Sequence, residues 1–228
     1  MIKKIDILGM QVDNYTVRES ILRLDTYMSN TVLNIIETVT MKQLVKAAEN
    51  PAIKECLMQA DLCIIGEREI LAETGNATVQ RMREVRDQDF MLELLKRVVR
   101  NQKRVFLIAM TSGELEEMQT VFTEVNPKFS IVGSYAVTDC VGDMDSVVNE
   151  LNGTTPDIVI SALNSPMEEE FILEYKDKIG TGVWYGIGSS YKTVHGHRGV
   201  GELLQKLAFR GKLRHSVSKY ENENKDRK

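Results

Sequence analysis

The sequence is poor in the residues that build disulfide scaffolds and collagen-like rods. Its 228 residues hold 3 cysteines, 4 prolines and 15 glycines, too few for either architecture. The cysteines are odd in number, and Cys56, Cys63 and Cys140 each sit beside apolar residues. They read as reduced thiols in or near a core, which points to a cytoplasmic protein. Long apolar runs are missing too. The longest, Val105 to Met110, falls far short of the about 20 residues that a membrane-spanning helix needs. The first residues, Met1-Ile2-Lys3-Lys4-Ile5-Asp6, lack the apolar stretch of a secretory signal. Nor is there an excess of basic charge. A net charge of −4 argues against nucleic acid as a partner of the molecule as a whole.

What is present suits a folded α/β protein. Hydrophobic residues make up 43% and charged residues 27%, enough to bury a sizeable core and exclude disorder for most of the chain. Thr16-Val17-Arg18-Glu19 and Thr40-Met41-Lys42-Gln43 have the form of capping boxes, each opening a helix. Short helices are expected around Pro51. Phe90, Met91, Leu94, Leu95, Val98 and Val99 fall on one stripe at helical spacing. Strands are expected at 32–36, 61–65, 105–109, 129–133, 157–163 and 182–188. From residue 104 onward they alternate with helices at 111–125, 143–151, 166 onward and 201–209. That order predicts a Rossmann-like, mostly parallel sheet with helices on both faces. For the N-terminal third, an α+β arrangement with antiparallel pairing stays open. The main domain is expected to span 1–209. Residues 210–228, with seven Lys/Arg against three Asp/Glu, read as a basic appendage whose last residues form a disordered tail.

In open parallel sheets, ligands bind beyond the carboxyl ends of the strands. This singles out the loops 109–113, 133–135, 164–168 and 186–192. Two of them lead into helix N-termini, whose free N–H groups favour an anion such as a diphosphate. Thr111, Ser112, Asn164 and Ser165 are polar side chains beside those donors, though the same residue types also serve simply as caps. The spaced glycines of a dinucleotide fingerprint and a Walker A pattern are both missing. No Cys-x-x-Cys occurs, and His195 and His197 lie in a glycine-rich loop, so no metal is expected. Nothing resembles a nucleophile elbow.

Taken in order, several segments resemble the WecG/TagA/CpsF family of glycosyltransferases, from about residue 4 to 214. They are Ile7-Leu8-Gly9-Met10-Gln11-Val12-Asp13, Val105-Phe106-Leu107-Ile108, the Pro127 to Gly133 segment, Pro156-Asp157-Ile158-Val159, Asn164-Ser165-Pro166-Met167-Glu168-Glu169 and Gly186-Ile187-Gly188-Ser189-Ser190-Tyr191. The resemblance implies a Rossmann-like inverting hexosyltransferase that works without bound metal or cofactor. Such an enzyme moves an N-acetylhexosamine-type sugar from a UDP donor to a lipid-linked saccharide, in teichoic acid, capsule or exopolysaccharide assembly. It implies a cytoplasmic protein, with peripheral contact at the inner face of the membrane through a basic C-terminal appendage. Family members self-associate, but nothing in this sequence selects an oligomeric state. Under this reading Thr38, Thr40 and Glu67 face the acceptor as catalytic residues. Thr111, Ser112, Gly113, Tyr135, Asn164, Ser165, Glu168, Gly188 and Lys192 hold the donor, and Arg198, Arg210, Lys212 and Arg214 meet anionic lipid or the acceptor's phosphates.

The departures from the family pattern are specific. The position of the family's proposed base holds Gly66, and the adjacent carboxylate is Glu67. The family's arginine position holds Glu84, flanked by Arg83 and Arg86. Its Lys-Gln pair becomes Met167-Glu168, its asparagine becomes Thr40 and a late aspartate becomes Lys192. Inverting transfer needs a base to take the acceptor proton, and glycine supplies none. Two readings follow: a working transferase with a shifted constellation, or a catalytically degenerate relative that keeps the nucleotide cleft and acts as a binding or regulatory partner. An unrelated Rossmann-like nucleotide binder is the third.

Overall fold

The computed structural model describes residues 3–140, 144–193 and 200–225, apart from the side chains at 193, 200–207, 224 and 225. In chain order the elements are β1 (Lys4–Ile7), β2 (Met10–Asp13), α1 (Val17–Tyr27), β3 (Asn34–Val39), α2 (Met41–Ala47), α3 (Pro51–Gln59), β4 (Leu62–Ile65), α4 (Arg68–Glu73), α5 (Val79–Arg86) and α6 (Asp89–Arg100). They continue with β5 (Val105–Ala109), α7 (Ser112–Val125), β6 (Ile131–Ala136), α8 (Asp145–Thr154), β7 (Ile158–Ala162), α9 (Met167–Tyr175), β8 (Val183–Gly186) and α10 (Val200–Lys225). Six strands form one sheet in the order β4-β3-β8-β7-β5-β6, and every pairing in it is parallel. The fold is thus the expected Rossmann-like α/β sheet.

The apolar strands explain why helices cover both faces. Successive strand residues point to opposite sides. In β5, Val105, Leu107 and Ala109 join a core with Ile21 and Leu24 of α1, the expected α6 stripe apart from Val99, and Met118 and Phe122 of α7. Phe106 and Ile108 face the other way, against Val147 and Leu151 of α8 and Phe171 and Ile172 of α9. Both capping boxes form as their spacing predicts: Thr16 accepts from the Glu19 N–H and Thr40 from the Gln43 N–H, each with the reciprocal bond.

The antiparallel pairing left open for the N-terminal third is present, and two details differ from the sequence-based expectation. β1 and β2 make an antiparallel hairpin with Ile7 opposite Met10. Its turn places both Leu8 and Gly9 at positive φ, 57° and 80°, the backbone of a two-residue type I′ turn. Leucine rarely takes that conformation, so the turn carries no sequence signal. β3 begins later than 32–36 and continues to Val39, because Thr38 and Val39 ladder with Ile64 and Ile65 of β4. Finally, the boundary expected between 209 and 210 falls inside one continuous helix, and the residues to Lys225 are helical rather than a disordered tail. Phe209, Leu213 and Val217, spaced by four, dock on the core that also holds Leu44, Ile70 and the hairpin. Leu213 is fully buried.

Candidate functional site

The carboxyl ends of β3, β7 and β8 open onto a cleft of about 530 Å³, counted out to open solvent. Its walls come from the N-terminal turn of α2, the loop before α9 and the turn after β8. Of the residues singled out from the sequence, Thr38, Thr40, Asn164, Ser165, Glu168 and Gly188 line it. Glu37, Lys42, Gln43 and Glu169 line it as well, and none of these four was expected.

Three buried carboxylates dominate the cleft. Glu37, Glu168 and Glu169 are 2%, 3% and 0% exposed. Each oxygen of Glu168 accepts a hydrogen bond, Oε2 from the Ser161 hydroxyl and Oε1 from the Trp184 indole N–H at 2.6 Å. Burial lifts its carboxyl from the ordinary 4.5 to about 7, while the bonds from Ser161 and Trp184 oppose the rise. Glu169 Oε1 accepts from the Gln43 amide at 2.7 Å, whereas its Oε2 has no partner. Glu37 Oε1 has none either. Burial first, and then the like charges of Glu168 and Glu169, hold the Glu37 carboxyl well above its ordinary range. Glu37 lies in register with Gly186 on β8. A Cβ on Gly186 would sit 2.6 Å from Glu37 Oε2, so only glycine leaves room for this carboxylate.

The expected catalytic residues divide. Thr38 is buried, and its hydroxyl donates to the Tyr185 hydroxyl at 3.2 Å. It separates the cleft from a second, narrower cavity lined by Gly66, Arg81, Glu84, Phe90 and Tyr185 among others. Thr40 lies at the cleft but spends its hydroxyl on the Gln43 N–H at 3.2 Å. Glu67 accepts the Met41 N–H at 2.7 Å, so it caps α2 from across the sheet end. At Gly66 a Cβ would meet the Thr38 methyl at 2.6 Å and the Val39 carbonyl at 3.1 Å. Close packing against β3 leaves no room for a side chain at this position.

Of the donor-side expectations, Thr111, Ser112, Gly113, Tyr135 and Lys192 do not line this cleft. Thr111 caps α7 by accepting from the Glu114 N–H at 3.2 Å, and Ser112 donates to Asp139 at 2.9 Å. Gly113 faces open space, and Tyr135 is a half-buried residue of β6. Lys192 reaches Glu117 at 3.5 Å and Glu114 at 3.7 Å, so its charge meets carboxylates of α7 rather than Glu168. These residues nonetheless border a second feature, the point between β5 and β7 where the connections diverge to opposite sides, the usual ligand position in such sheets. Asn164, at the end of β7, is common to both.

Arg81, not the flanking Arg83 or Arg86, balances Glu84: the two are buried together at 2.7 Å. On α10, Arg210 pairs with Glu73 of α4 at 2.9 Å and Arg214 approaches it at 3.9 Å, while Lys212 lies 5.6 Å from the Phe209 ring centre. Arg198, His195 and His197 lie outside the described residues. Among the described residues no cluster of His, Cys, Asp or Glu has the form of a metal site, and no helix is long and apolar enough to cross a membrane.

The missed residues carried weak signals. Glu37 follows the apolar pair Ile35-Ile36 and reads as a strand end rather than a buried carboxylate. Glu169 sits in a run of three glutamates that reads as a solvated helix face, and Gln43 reads only as half of a capping box.

The chain matches the model of a family described as "Glycosyl transferase WecG/TagA/CpsF family" over residues 5–199. It is 24% identical over 195 residues to the N-acetylglucosaminyldiphosphoundecaprenol N-acetyl-beta-D-mannosaminyltransferase of Staphylococcus aureus strain NCTC 8325 / PS 47, covering 85% of this chain and 76% of that protein. The equally named proteins of strains COL and MRSA252 match with the same identity and coverage.

Proposed function

Because the chain belongs to the WecG/TagA/CpsF family of glycosyltransferases, we propose that it transfers an N-acetylhexosamine-type sugar from a UDP-sugar to a lipid-linked acceptor, in the building of a cell-surface polysaccharide. The observation that carries this reading is the polar cleft at the carboxyl ends of β3, β7 and β8, next to the β5–β7 divergence. The nucleotide lies over the ends of β5 and β7, near Thr111, Ser112, Gly113, Tyr135 and Asn164. The sugar lies toward Thr38, Ser165 and Gly188. The relatives' printed names supply the sugar type and the undecaprenol-linked acceptor. Arg210, Lys212 and Arg214 on α10, with Arg198 before it, contribute attraction to an anionic surface, worth about 1 kcal/mol per charge, and make the protein peripheral to the membrane.

Glu67 is the carboxylate nearest in sequence to the family's base position. Under the first reading it acts as the base that takes the acceptor's proton. A second reading is favoured by two observations: the tight packing at Gly66 and the capping bond of Glu67. Under it the protein binds the nucleotide but does not turn it over, and serves as a partner of an active enzyme. Calorimetry with UDP, followed by a mass-spectrometric transfer assay on a lipid-linked N-acetylglucosamine, separates the two. Transfer that falls by about 100-fold or more in Glu67→Gln, the scale of a lost general base, supports the first. Binding of UDP without transfer supports the second, and failure to bind UDP removes both.

A further inference from the structure

Three carboxyl groups meet in the cleft wall, and among the described residues no lysine or arginine is ion-paired with them. The sheet brings them together. Glu37, Gly186 and Ser161 lie in one row across the neighbouring strands β3, β8 and β7. Strands are spaced about 4.8 Å apart, so Glu37 and Ser161 stand about 10 Å apart with only a glycine between them. The Glu37 carboxyl leans over that glycine. Glu168 reaches the same row through the hydrogen bond from Ser161. Glu169, the next residue of α9, is held by Gln43 of α2. The groups that hold Glu168 and Glu169, namely Ser161, Trp184 and Gln43, are uncharged. Glu37 Oε1 and Glu169 Oε2 are buried without a partner. Burial strips each carboxyl of water, and their negative charges repel one another. Carboxyls placed this way keep a proton among them instead of all ionising.

The other titratable neighbours stay neutral near pH 7. Burial lifts the Cys56 thiol of α3 and the Tyr185 hydroxyl of β8 above their ordinary ranges, and the Cys63 thiol of β4 to about 12. Positive charge comes from α2, with Lys42 in the cleft lining and Lys46 bonded to the Ser165 carbonyl at 3.2 Å.

We propose that Glu37, Glu168 and Glu169 form a proton-sharing unit that couples ligand binding to pH: the cleft takes up a proton from solvent when an anionic phosphoester enters and returns it when the ligand leaves. The proposal rests on the glycosyltransferase reading and adds regulation to its nucleotide site. A ligand in the cleft shields the open side of the trio from water, and its phosphates add like charge. Both favour the protonated form, so ligand and proton strengthen one another's binding. Affinity therefore rises as pH falls through about 7.

Trp184 is the single tryptophan of the chain and donates to Glu168, so its fluorescence reads the trio directly. In the ligand-free protein its emission is expected to change with pH around a midpoint near 7. Saturating UDP should raise that midpoint by about one pH unit, a tenfold step in proton affinity. Calorimetric affinities for UDP are then compared at pH 6.5 and pH 8.5, for the unaltered protein and Glu168→Gln. The terminal phosphate of UDP itself titrates at about 6 and contributes alike to both proteins. The preference for low pH should be about 3-fold or more larger in the unaltered protein. Emission that stays flat between pH 5.5 and pH 8.5, or a midpoint that UDP does not raise, overturns the proposal and leaves the glycosyltransferase reading standing. So does an equal low-pH preference in the two proteins. The fluorescence readings need only the unaltered protein, so they decide the matter where the variant does not fold. Failure of UDP to bind at either pH overturns that reading and the proposal together.

Discussion

Replacing Gly66 by alanine tests whether tight packing against β3 excludes a side chain from position 66. The glycine is not in the left-handed region, and the added Cβ would sit 2.6 Å from the Thr38 methyl and 3.1 Å from the Val39 carbonyl. Thr38 cannot swing away freely, because it is buried and hydrogen-bonded to Tyr185. At an uncrowded site of this backbone type, glycine to alanine stabilises by about 0.4–1 kcal/mol, through the unfolded chain. Overpacking a filled site costs about 1–3 kcal/mol. The crowding wins, and the net loss is about 1–2 kcal/mol. For a protein of this size that lowers the melting temperature by about 2–8 °C. Thr38→Ser removes the offending methyl and keeps the hydroxyl, so the double variant should recover part of the loss. The Val39 carbonyl still crowds the site, so recovery is incomplete. Calorimetric unfolding of the four proteins in the cycle gives the coupling directly. An alanine variant as stable as the unaltered protein, or additivity to within about 0.5 kcal/mol, refutes the packing argument. A carboxylate could then be restored at 66 without moving Thr38.

Two further expectations concern stability. The folded Glu168 holds its proton up to about pH 7 against an ordinary 4.5, so the folded state binds more protons than the unfolded state between those values. Its contribution to stability is therefore greatest below about pH 4.5 and is lost as pH rises toward and through 7. Urea unfolding at pH 5 and at pH 7.5 should show a larger fall for the unaltered protein than for Glu168→Gln; equal falls contradict the assignment. Leu213→Ala, at a fully buried position of α10, should cost about 2–5 kcal/mol and expose residues beyond 209 to protease. A loss below about 0.5 kcal/mol, the size of an ordinary surface change, would mean that the helix is a loose appendage after all.

Which residues form strands and helices was legible because those signals are local. The α6 stripe, the two capping boxes and the apolar runs at 105–109 and 157–163 each depend on neighbours within one or two turns. Their alternation was enough to predict a parallel sheet covered on both faces, and the order of the motif segments was enough to recognise the family. The α1–α2 portion was read less well, since β3 carries the polar pair Glu37-Thr38 before its last residue, and the strand character of that pair comes from β4 and β8 rather than from its own composition. α10 was cut short for a similar reason: the basic residues around Leu213 mark a surface segment, and only the packing against α2 and α4 reveals that Leu213 is buried.

The candidate site divides along the same line. Sequence alone located the loops at the carboxyl ends of the strands, because that position follows from the fold class, and it pointed to Thr38, Thr40, Asn164, Ser165, Glu168 and Gly188. Tertiary structure alone decided that Thr111 and Ser112 are spent on caps and on Asp139, that Lys192 answers to α7, and that Glu37 and Glu169 face the cleft with unmatched oxygens. The physical reason is range. A helix start or an apolar strand is set by contacts a few residues apart, whereas the burial and partners of a carboxylate are set by segments more than a hundred residues away, as Gln43 and Glu169 are from one another.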